Sequence, residues 1–334
     1  MNMAARSTVS FIIPVRDDAR RLRRCLESIA RNLYPHDLVQ VIIVDNGSQD
    51  DSPQVARRAG ALLLSAAGRV AELRNIGARA ATGDLLAFVD ADHEIDPGWI
   101  RGAVHALSDR AVAAVGAPYT LPPDANWVQR RYHTFRPHLQ QPRDVDWLGS
   151  GNLVVRRDAF ATLGGFDASL ETCEDVDFCN RLRSAGYRLV ANPELRSVHF
   201  GDPSTLRALF FGELWRGRDN LRVTFRGPRT LRHFRSAIIS MINLAVLAGG
   251  VGALAFGLWR VASLCAAIPI SLAALRALAM SRRDAHPGIA SVMQSLAVAL
   301  TYDLARACAL LAGGTHASRR SSEHRLDVTA NSRS

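Results

Sequence analysis

Short apolar runs alternate with helix-spaced segments along the first third of this chain, and that alternation narrows its fold more than any other feature. Residues 9–15 (Val-Ser-Phe-Ile-Ile-Pro-Val), 39–44, 61–65 and 85–89 each read as a strand with little polar character. Between them lie segments with helical periodicity. Leu22, Leu26 and Ile29 mark a helix over 19–32 with arginines on its other face. Ser52-Pro53 opens a second helix that Gly60 closes, and 70–81 forms a third. Strand–helix–strand units of this length give parallel strands joined by right-handed crossovers, so the expected fold class is α/β with a mostly parallel sheet. Further helices are expected over 97–107 (Asp96 as N-cap, Pro97 at the first helical position), 126–135 and 171–185. Further strands are expected over 111–117, 153–155 and 195–200.

Parallel strands end on one rim, where open α/β sheets bind their ligands. Three of these strands end in polar groups: Pro14-Val15-Arg16-Asp17, Asp45-Asn46-Gly47-Ser48 and Asp90-Ala91-Asp92. Asp90 and Asp92 are two apart, so their side chains share a face if the strand continues. Two carboxylates with no basic residue beside them repel, and a hard divalent cation relieves this, which points to a Mg²⁺ or Mn²⁺ site carrying a phosphorylated ligand. The competing reading is a solvated acidic turn leading into a helix. Asp45 is placed to accept hydrogen bonds from a base or ribose, or else simply forms its Asx turn. Arg74 on the preceding helix reaches for a diphosphate, or lies on a solvated face.

Downstream, 118–146 is a long irregular connection of the kind that forms lids or acceptor-binding segments. Trp147-Leu148-Gly149-Ser150-Gly151-Asn152 follows, with glycines that let backbone approach a ligand. Glu171 to Asp177 holds more acids than capping a helix requires, which suggests that one carboxylate faces the cleft as a general base. His199, on a short strand, either closes the metal site or fills the core.

The formal net charge is +10, and every basic residue is arginine. Many arginines flank apolar segments: Arg226, Arg229, Arg232 and Arg235, then Arg276, Arg282 and Arg283, then Arg319 and Arg320. That placement suits anionic lipid headgroups, and the basic stretches lack the interleaved aromatics that stack on bases. A membrane partner is therefore expected and a nucleic acid is not. Residues 236–259 carry no charge and are long enough to span a bilayer, and 260–280 form a second span. Asp303 and Arg306 make 289–312 interfacial rather than spanning, and 316–334 is polar and expected to be disordered. Five scattered cysteines without a Cys-x-x-Cys pair fit a reducing compartment, and the apolar run after Arg6 is too short for a signal peptide.

Six stretches together carry a likeness: Phe11-Ile12-Ile13-Pro14-Val15-Arg16-Asp17, Ile43-Val44-Asp45-Asn46-Gly47-Ser48, Arg74-Asn75-x-Gly77, Asp90-Ala91-Asp92, Gly164-Gly165-Phe166-Asp167 and Glu174-Asp175-Val176-Asp177-Phe178. In this order they resemble the family 2 glycosyltransferases, over residues 8 to about 220. The resemblance implies the GT-A fold, Rossmann-like, over 1–225, with a nucleotide-sugar-binding half (1–117) and an acceptor half (118–225). Membrane-associated helices over 226–315 and the tail would follow. It places Pro14, Val15, Asp17, Asp45, Arg74, Asp90, Ala91 and Asp92 on a UDP- or GDP-sugar donor, with Asp45 at the nucleoside. Asp90 and Asp92 would hold the diphosphate through the cation, Asp92 more directly, and His199 would be a further ligand. Asp175 would be the base, with Glu174 the lesser candidate, and Trp147, Gly151 and Asn152 would face the acceptor.

The reaction so implied is an inverting transfer to a saccharide or lipid-linked acceptor, as in cell-surface glycan assembly, at the cytoplasmic face of the inner membrane. A polyprenyl-phosphate sugar synthase and a non-catalytic membrane scaffold are the alternatives. Two departures stand out. The Gln-x-x-Arg-Trp motif of processive synthases is absent, the nearest stretch being Glu213-Leu214-Trp215-Arg216-Gly217, so one sugar per encounter is expected. His93 stands where another acid or a small residue is common.

Overall fold

The computed structural model describes residues 7–136, 139–227, 231–282 and 288–330. The chain forms two compact units. One is built from residues up to Ala125 and from Arg136–Asp202, the other from Asn126–Phe135 and from Pro203 onward.

In the first unit, β1 (Val9–Val15), α1 (Ala19–Ala30), β2 (Val39–Asp45), α2 (Ser52–Arg58), β3 (Leu62–Ser65), α3 (Val70–Ala80) and β4 (Leu85–Val89) follow one another as the periodicity predicts. β1 pairs in parallel with both β2 and β4, and β2 in parallel with β3. β1 and β4 read as almost continuously apolar because both of their faces are covered. Phe11, Ile13 and Val15 lie in one core with Leu22, Leu26 and Trp99. The intervening Ile12 lies in the other with Val44, Leu86 and Phe88. Gly77 on α3 has no room for a side chain: a Cβ there would stand 2.5 Å from Ile12 Cγ2. That close approach sets the height of α3 over the sheet, and with it the position of Arg74 one turn earlier.

The acidic strand is followed by β5 (His93–Ile95), so the helix expected from Pro97 begins later, as α4 (Trp99–Ala106) with Gly98 at its N-cap. Asp96 contributes its backbone carbonyl, which accepts from the Trp99 N–H at 3.0 Å, and its side chain makes no cap. Then come β6 (Val112–Gly116), α5 (Trp127–His133, in the second unit), β7 (Arg143–Asp144), β8 (Asn152–Arg156), α6 (Arg157–Thr162), α7 (Glu174–Ser184), β9 (Arg188–Ala191) and β10 (Ser197–His199). The sheet order is β3-β2-β1-β4-β8-β6-β9-β7, with β8 antiparallel to both its neighbours. The fold is therefore a mostly parallel mixed α/β sheet. α7 is anchored by Phe178, which packs with Phe160 and Phe166 at ring-centroid separations of 5.2 and 5.0 Å, and these two stand against Phe88 of β4. β5 and β10 form a separate antiparallel ribbon.

The second unit holds α5, α8 (Leu206–Arg216), α9 (Asn220–Arg226), α10 (Leu231–Ala255), α11 (Trp259–Ser281) and α12 (Ile289–Ala330). A capping box starts α5: Asn126 Oδ1 accepts from the Val128 and Gln129 N–H groups while Gln129 Oε1 accepts from the Asn126 N–H. Leu209, Val128 and Tyr132 share a core with Ala273, Met280, Val298 and Ala299. That shared core is why 126–135 and 203–225, expected with the catalytic half, belong instead with the C-terminal helices. Ala237–Ala255 and Trp259–Ser281 are long and apolar enough to cross a membrane. Only Phe256, Gly257 and Leu258 separate the two helices, and Gly257 supplies the turn with φ +68°. At Gly250 a Cβ would stand 3.2 Å from the Cys265 Cβ, a close approach that a small residue permits.

α12 continues to Ala330, through the polar stretch expected to be disordered. After Gly314 no glycine or proline interrupts it, and Arg, Glu, Leu and Ala all tolerate a helix well. Arg229 and Arg283, expected at headgroup level, and residues 331–334 of the expected tail lie outside the described residues.

Candidate functional site

Four groups of polar side chains gather at and around the rim formed by the ends of β1, β2 and β4. At β4 the chain turns: the Asp90 N–H donates to the Gly151 carbonyl (3.2 Å) and its carbonyl accepts from the His93 N–H (3.1 Å). Gly151 is needed there, since a Cβ would overlap Asp90 Oδ2 and stand 3.4 Å from His93 Nε2. Asp90 Oδ1 accepts from Arg74 Nη2 at 2.6 Å, and Arg74 Nη1 donates to Glu174 Oε1 at 2.7 Å. The same Glu174 oxygen accepts from Ser150 Oγ at 3.0 Å. Arg74 is 2% exposed. Burial works against its charge, yet the two carboxylates outweigh this and raise its proton affinity. Arg74 was expected at a diphosphate; the structure turns it inward, with both terminal nitrogens spent on carboxylates.

Asp175 stands next to Glu174 but pairs with no cation among the described residues. Cys173, the N-cap of α7, has φ +61° and makes a sharp left-handed entry to the helix, whose 3.6-residue turn then sends the two consecutive acids in different directions. The Val176 N–H donates to Asp175 Oδ1 at 2.8 Å. Burial, and next the negative charge of Glu174, push the Asp175 carboxyl up to about 7; the N–H groups of Val176 and Ser150 and the charge of Arg74 oppose them without prevailing. A Cβ on Gly149 would lie 3.9 Å from Asp175 Oδ2 and 3.9 Å from Trp147 Cζ3, so the carboxylate and the indole, 55% exposed, flank the same glycine.

The third group is carried by the β5–β10 ribbon, whose register sets His93 opposite His199. Asp92, His93 and His199 offer ligand atoms that all lie within 4.8 Å of one another. Asp92 Oδ2 is 3.2 Å from His199 Nε2, and His199 Nδ1 is 3.2 Å from Asp202 Oδ1, which accepts from the Tyr119 hydroxyl at 2.7 Å. Burial alone would raise the Asp92 carboxyl, but the hydrogen bond and charge of His199 take it down to about 2. Burial would lower His199, but Asp202 and Asp92 carry it up to about 9. His93 is pushed down to about 4, by burial and then by the charge of His199, and its Nδ1 is 3.0 Å from Ser197 Oγ. Asp92 Oδ1 is buried without a partner. One carboxylate with an orphaned oxygen and two imidazoles within reach fit a divalent cation. Gly201 closes over them: a Cβ there would overlap Asp92 Oδ2 and stand 2.8 Å from His199 Nε2.

At the ends of β1 and β2, Asp17 adopts φ +51° and is clasped to the neighbouring loop, its N–H donating to Ser48 Oγ (2.9 Å) and its Oδ1 accepting from the Gln49 N–H (2.6 Å). Asp45 is 5% exposed; Oδ2 accepts from the Ser48 N–H at 3.3 Å and Oδ1 has no partner. Pro14 and Val15 lead into this clasp, and Ala91 is buried between the two aspartates.

Several residues sit differently from the sequence-based expectation. Asn152, expected at the acceptor, is 4% exposed: its Oδ1 accepts from Trp99 Nε1 (2.8 Å) and its Nδ2 donates to the Ala117 and Leu195 carbonyls (3.0 and 2.9 Å). It ties β8 to the start of α4 and to the segments that follow β6 and precede β10. Gly151 serves Asp90, and Glu174, the second candidate base, is spent on Arg74 and Ser150. Asp90 is bound to Arg74 and lies outside the group of three potential ligands. His93, Gly201 and Asp202 were not foreseen as parts of the site. A second histidine beside an acidic pair was the only signal for the first, and nothing local marks the other two.

Residues 10–164 match the family described as Glycosyl transferase family 2. Glycosyltransferase AglE of Haloferax volcanii is 29% identical over 217 residues, covering 62% of this chain and 69% of that protein. Pre-mycofactocin glycosyltransferase of Mycobacterium tuberculosis is 29% identical over 275 residues, covering 78% of this chain and 56% of that protein. This chain thus spans about half to two-thirds of the length of these relatives. The solved structure of mannosyltransferase PcManGT from Pyrobaculum calidifontis, in complex with GDP-Man and Mn²⁺, superposes with a TM-score of 0.59 at 20% identity, covering 92% of this chain and 87% of that one. That likeness is one of fold.

Proposed function

We propose that this chain, which belongs to the family 2 glycosyltransferases, transfers one sugar per encounter from a UDP- or GDP-sugar to a hydroxyl of a saccharide, free or lipid-linked, with inversion. The observation that carries this reading is Asp175: a carboxyl free of any ion pair, with its proton affinity raised to about 7, beside an exposed indole. A base poised near neutrality suits removal of a hydroxyl proton. A polyprenyl phosphate is already anionic and needs no such group. Trp147 offers a flat apolar face to a pyranose ring.

On the donor side, Asp45 Oδ1, buried and unpartnered, is placed to accept from a nucleobase N–H, and the Asp17–Ser48–Gln49 clasp holds that loop in shape. Asp92 and His199, with His93 beside them, would hold Mg²⁺ or Mn²⁺; a mixed oxygen and nitrogen set suits Mn²⁺ better. When bound, the cation offsets the charge developing on the departing nucleoside diphosphate. Asp202 steadies His199 from behind, and Arg74 keeps Asp90 and Glu174 in place. The two apolar helices α10 and α11 would seat the protein in the inner membrane, with its site on the cytoplasmic side, where nucleotide sugars are made.

The test is calorimetric binding of UDP, GDP and their common sugar conjugates, with and without Mn²⁺. Metal-dependent binding of one nucleotide is expected, and Asp92→Ala should weaken it by about 100-fold or more. A folded wild-type protein that binds no nucleotide with any metal would end the reading. Gly201→Ala makes a subtler case. Its methyl group must displace Asp92 or His199, so the metal-dependent part of binding should fall by about 10–100-fold while the metal-independent part stays. Equal losses in both would show that the loop, not the ligand set, was disturbed.

A further inference from the structure

Asp175 and the donor-side carboxylate Asp90 do not touch, but a single buried guanidinium links their surroundings. Arg74 holds Asp90 with one nitrogen and Glu174 with the other, at 2.6 and 2.7 Å, and Ser150 Oγ fixes the same Glu174 oxygen. Glu174 is 7% exposed and adjacent in sequence to Asp175. So immobilised, it cannot swing out to a substrate, and it cannot move away from its neighbour. Capping α7 does not explain it, because the Cys173 side chain makes no cap and Asp175 and Asp177 already place negative charge in the first turn.

We propose that the Arg74–Glu174 pair governs when Asp175 can accept a proton: Glu174 is the fixed negative charge that strengthens proton binding at Asp175, and Arg74 is the fixed positive charge that limits it. Both are positioning residues. The inference rests on Asp175 being the base of the transfer. The other groups facing Asp175 leave this pair in control. From α7, the Cys179 thiol is pushed up to about 12 by burial and stays neutral. Arg181 is taken by Asp177 at 2.8 Å and Arg183 by Asp146 at 3.1 Å. From the 147–151 loop come the Ser150 N–H and the uncharged Gly149 and Trp147. From α3 comes Arg74 itself. Two opposite charges, both buried and fixed by hydrogen bonds, act on the part-buried carboxyl next in sequence to one of them by direct electrostatics.

The experiment reads Asp175 without any substrate, using the full chain in detergent. Thermal midpoints are measured from pH 4 to 9 for wild type against Asp175→Asn, and for Glu174→Gln against Glu174→Gln/Asp175→Asn. An Asp175 that binds its proton more tightly in the folded state makes the wild type lose stability, relative to its Asn variant, as pH rises from the unfolded carboxyl's range. The gap stops widening once Asp175 has ionised in the fold. The pH at which it levels off should fall by about one pH unit or more in the Glu174→Gln background, and should rise in the Arg74→Gln background. The Glu174→Gln side chain keeps an oxygen for Arg74 and Ser150, so a merely structural role would leave the levelling pH unchanged, and that result would overturn the inference. If Arg74→Gln does not fold, the Glu174→Gln pair decides alone. Transfer assays on the same variants separate the two readings. Full activity of Asp175→Asn with UDP- or GDP-sugars removes the base assignment, whereas an unmoved levelling pH with an inactive Asp175→Asn removes only this inference.

Discussion

Asp175→Asn should reduce kcat by about 10²–10⁴-fold, the usual contribution of a positioned general base, with little change in donor affinity. The same variant should be more stable than wild type. The Asp175 carboxyl is raised to about 7 in the fold, above the 3.8 of an ordinary aspartate. Its contribution to stability is therefore fully present below that ordinary value and is lost as pH rises through about 7. At pH 8 the wild type carries the cost of an ionised carboxylate in a poorly solvated place, on the order of 4 kcal/mol for a displacement of this size. Asn removes that cost and still offers Oδ1 to the Val176 N–H. Unfolding followed at pH 8 and again at pH 4 should show a stabilised variant at the first and nearly equal proteins at the second. Wild-type activity should correspondingly climb with pH and level off above about 7. An Asp175→Asn enzyme that turns over normally, or one no more stable at pH 8, would mean that this carboxyl is neither a base nor strained.

Arg74→Gln is the second large effect, and it acts on the fold before it acts on chemistry. Removing one partner of a buried ion pair costs about 3–5 kcal/mol, because the charge left behind has neither water nor counter-ion. Here two carboxylates, Asp90 and Glu174, would be left facing each other where one guanidinium stood. Chemical denaturation should show this loss at pH 8 and a smaller one at pH 5, where the abandoned acids can take up protons. The double variant Arg74→Gln/Glu174→Gln should recover part of the stability, since neutralising one carboxylate removes the repulsion, and the cycle isolates the pair's coupling. A single variant as stable as wild type would mean that the inward guanidinium is dispensable, and the bridge between Asp90 and Glu174 with it.

Much of this was legible in the residues themselves. β1, β2 and β4 announce themselves because they are largely buried and dominated by apolar residues; the polar exceptions inside β1 and β2, Ser10 and Gln40, satisfy each other through a 2.6 Å hydrogen bond. Parallel pairing then brings the polar residues that follow them, Asp17, Asp45 and Asp90, to one rim. The acid-rich start of α7 was visible because it exceeds what a helix terminus requires. Other features left no local trace. β8 reads as a strand from its apolar run, but its direction, opposite to β4 and β6, depends on which partners it meets and not on its own pattern. Arg74 was read as reaching either a diphosphate or solvent; that it is buried follows from Gly77 seating α3 against Ile12.

Local pattern was enough to say which residues carry charge at the ends of apolar strands, and hence to expect an anionic ligand with a cation at this rim, because burial and periodicity are properties of neighbouring residues. Which carboxylate is held and which is free was settled by packing alone. Glu174 and Asp175 are adjacent and chemically alike, yet one meets Arg74 from α3 and Ser150 from the loop, while the other meets only backbone N–H groups. Likewise, His93 and His199 become neighbours only through the register of the β5–β10 ribbon. Such assignments depend on distances between parts of the chain remote in sequence, which no local pattern records.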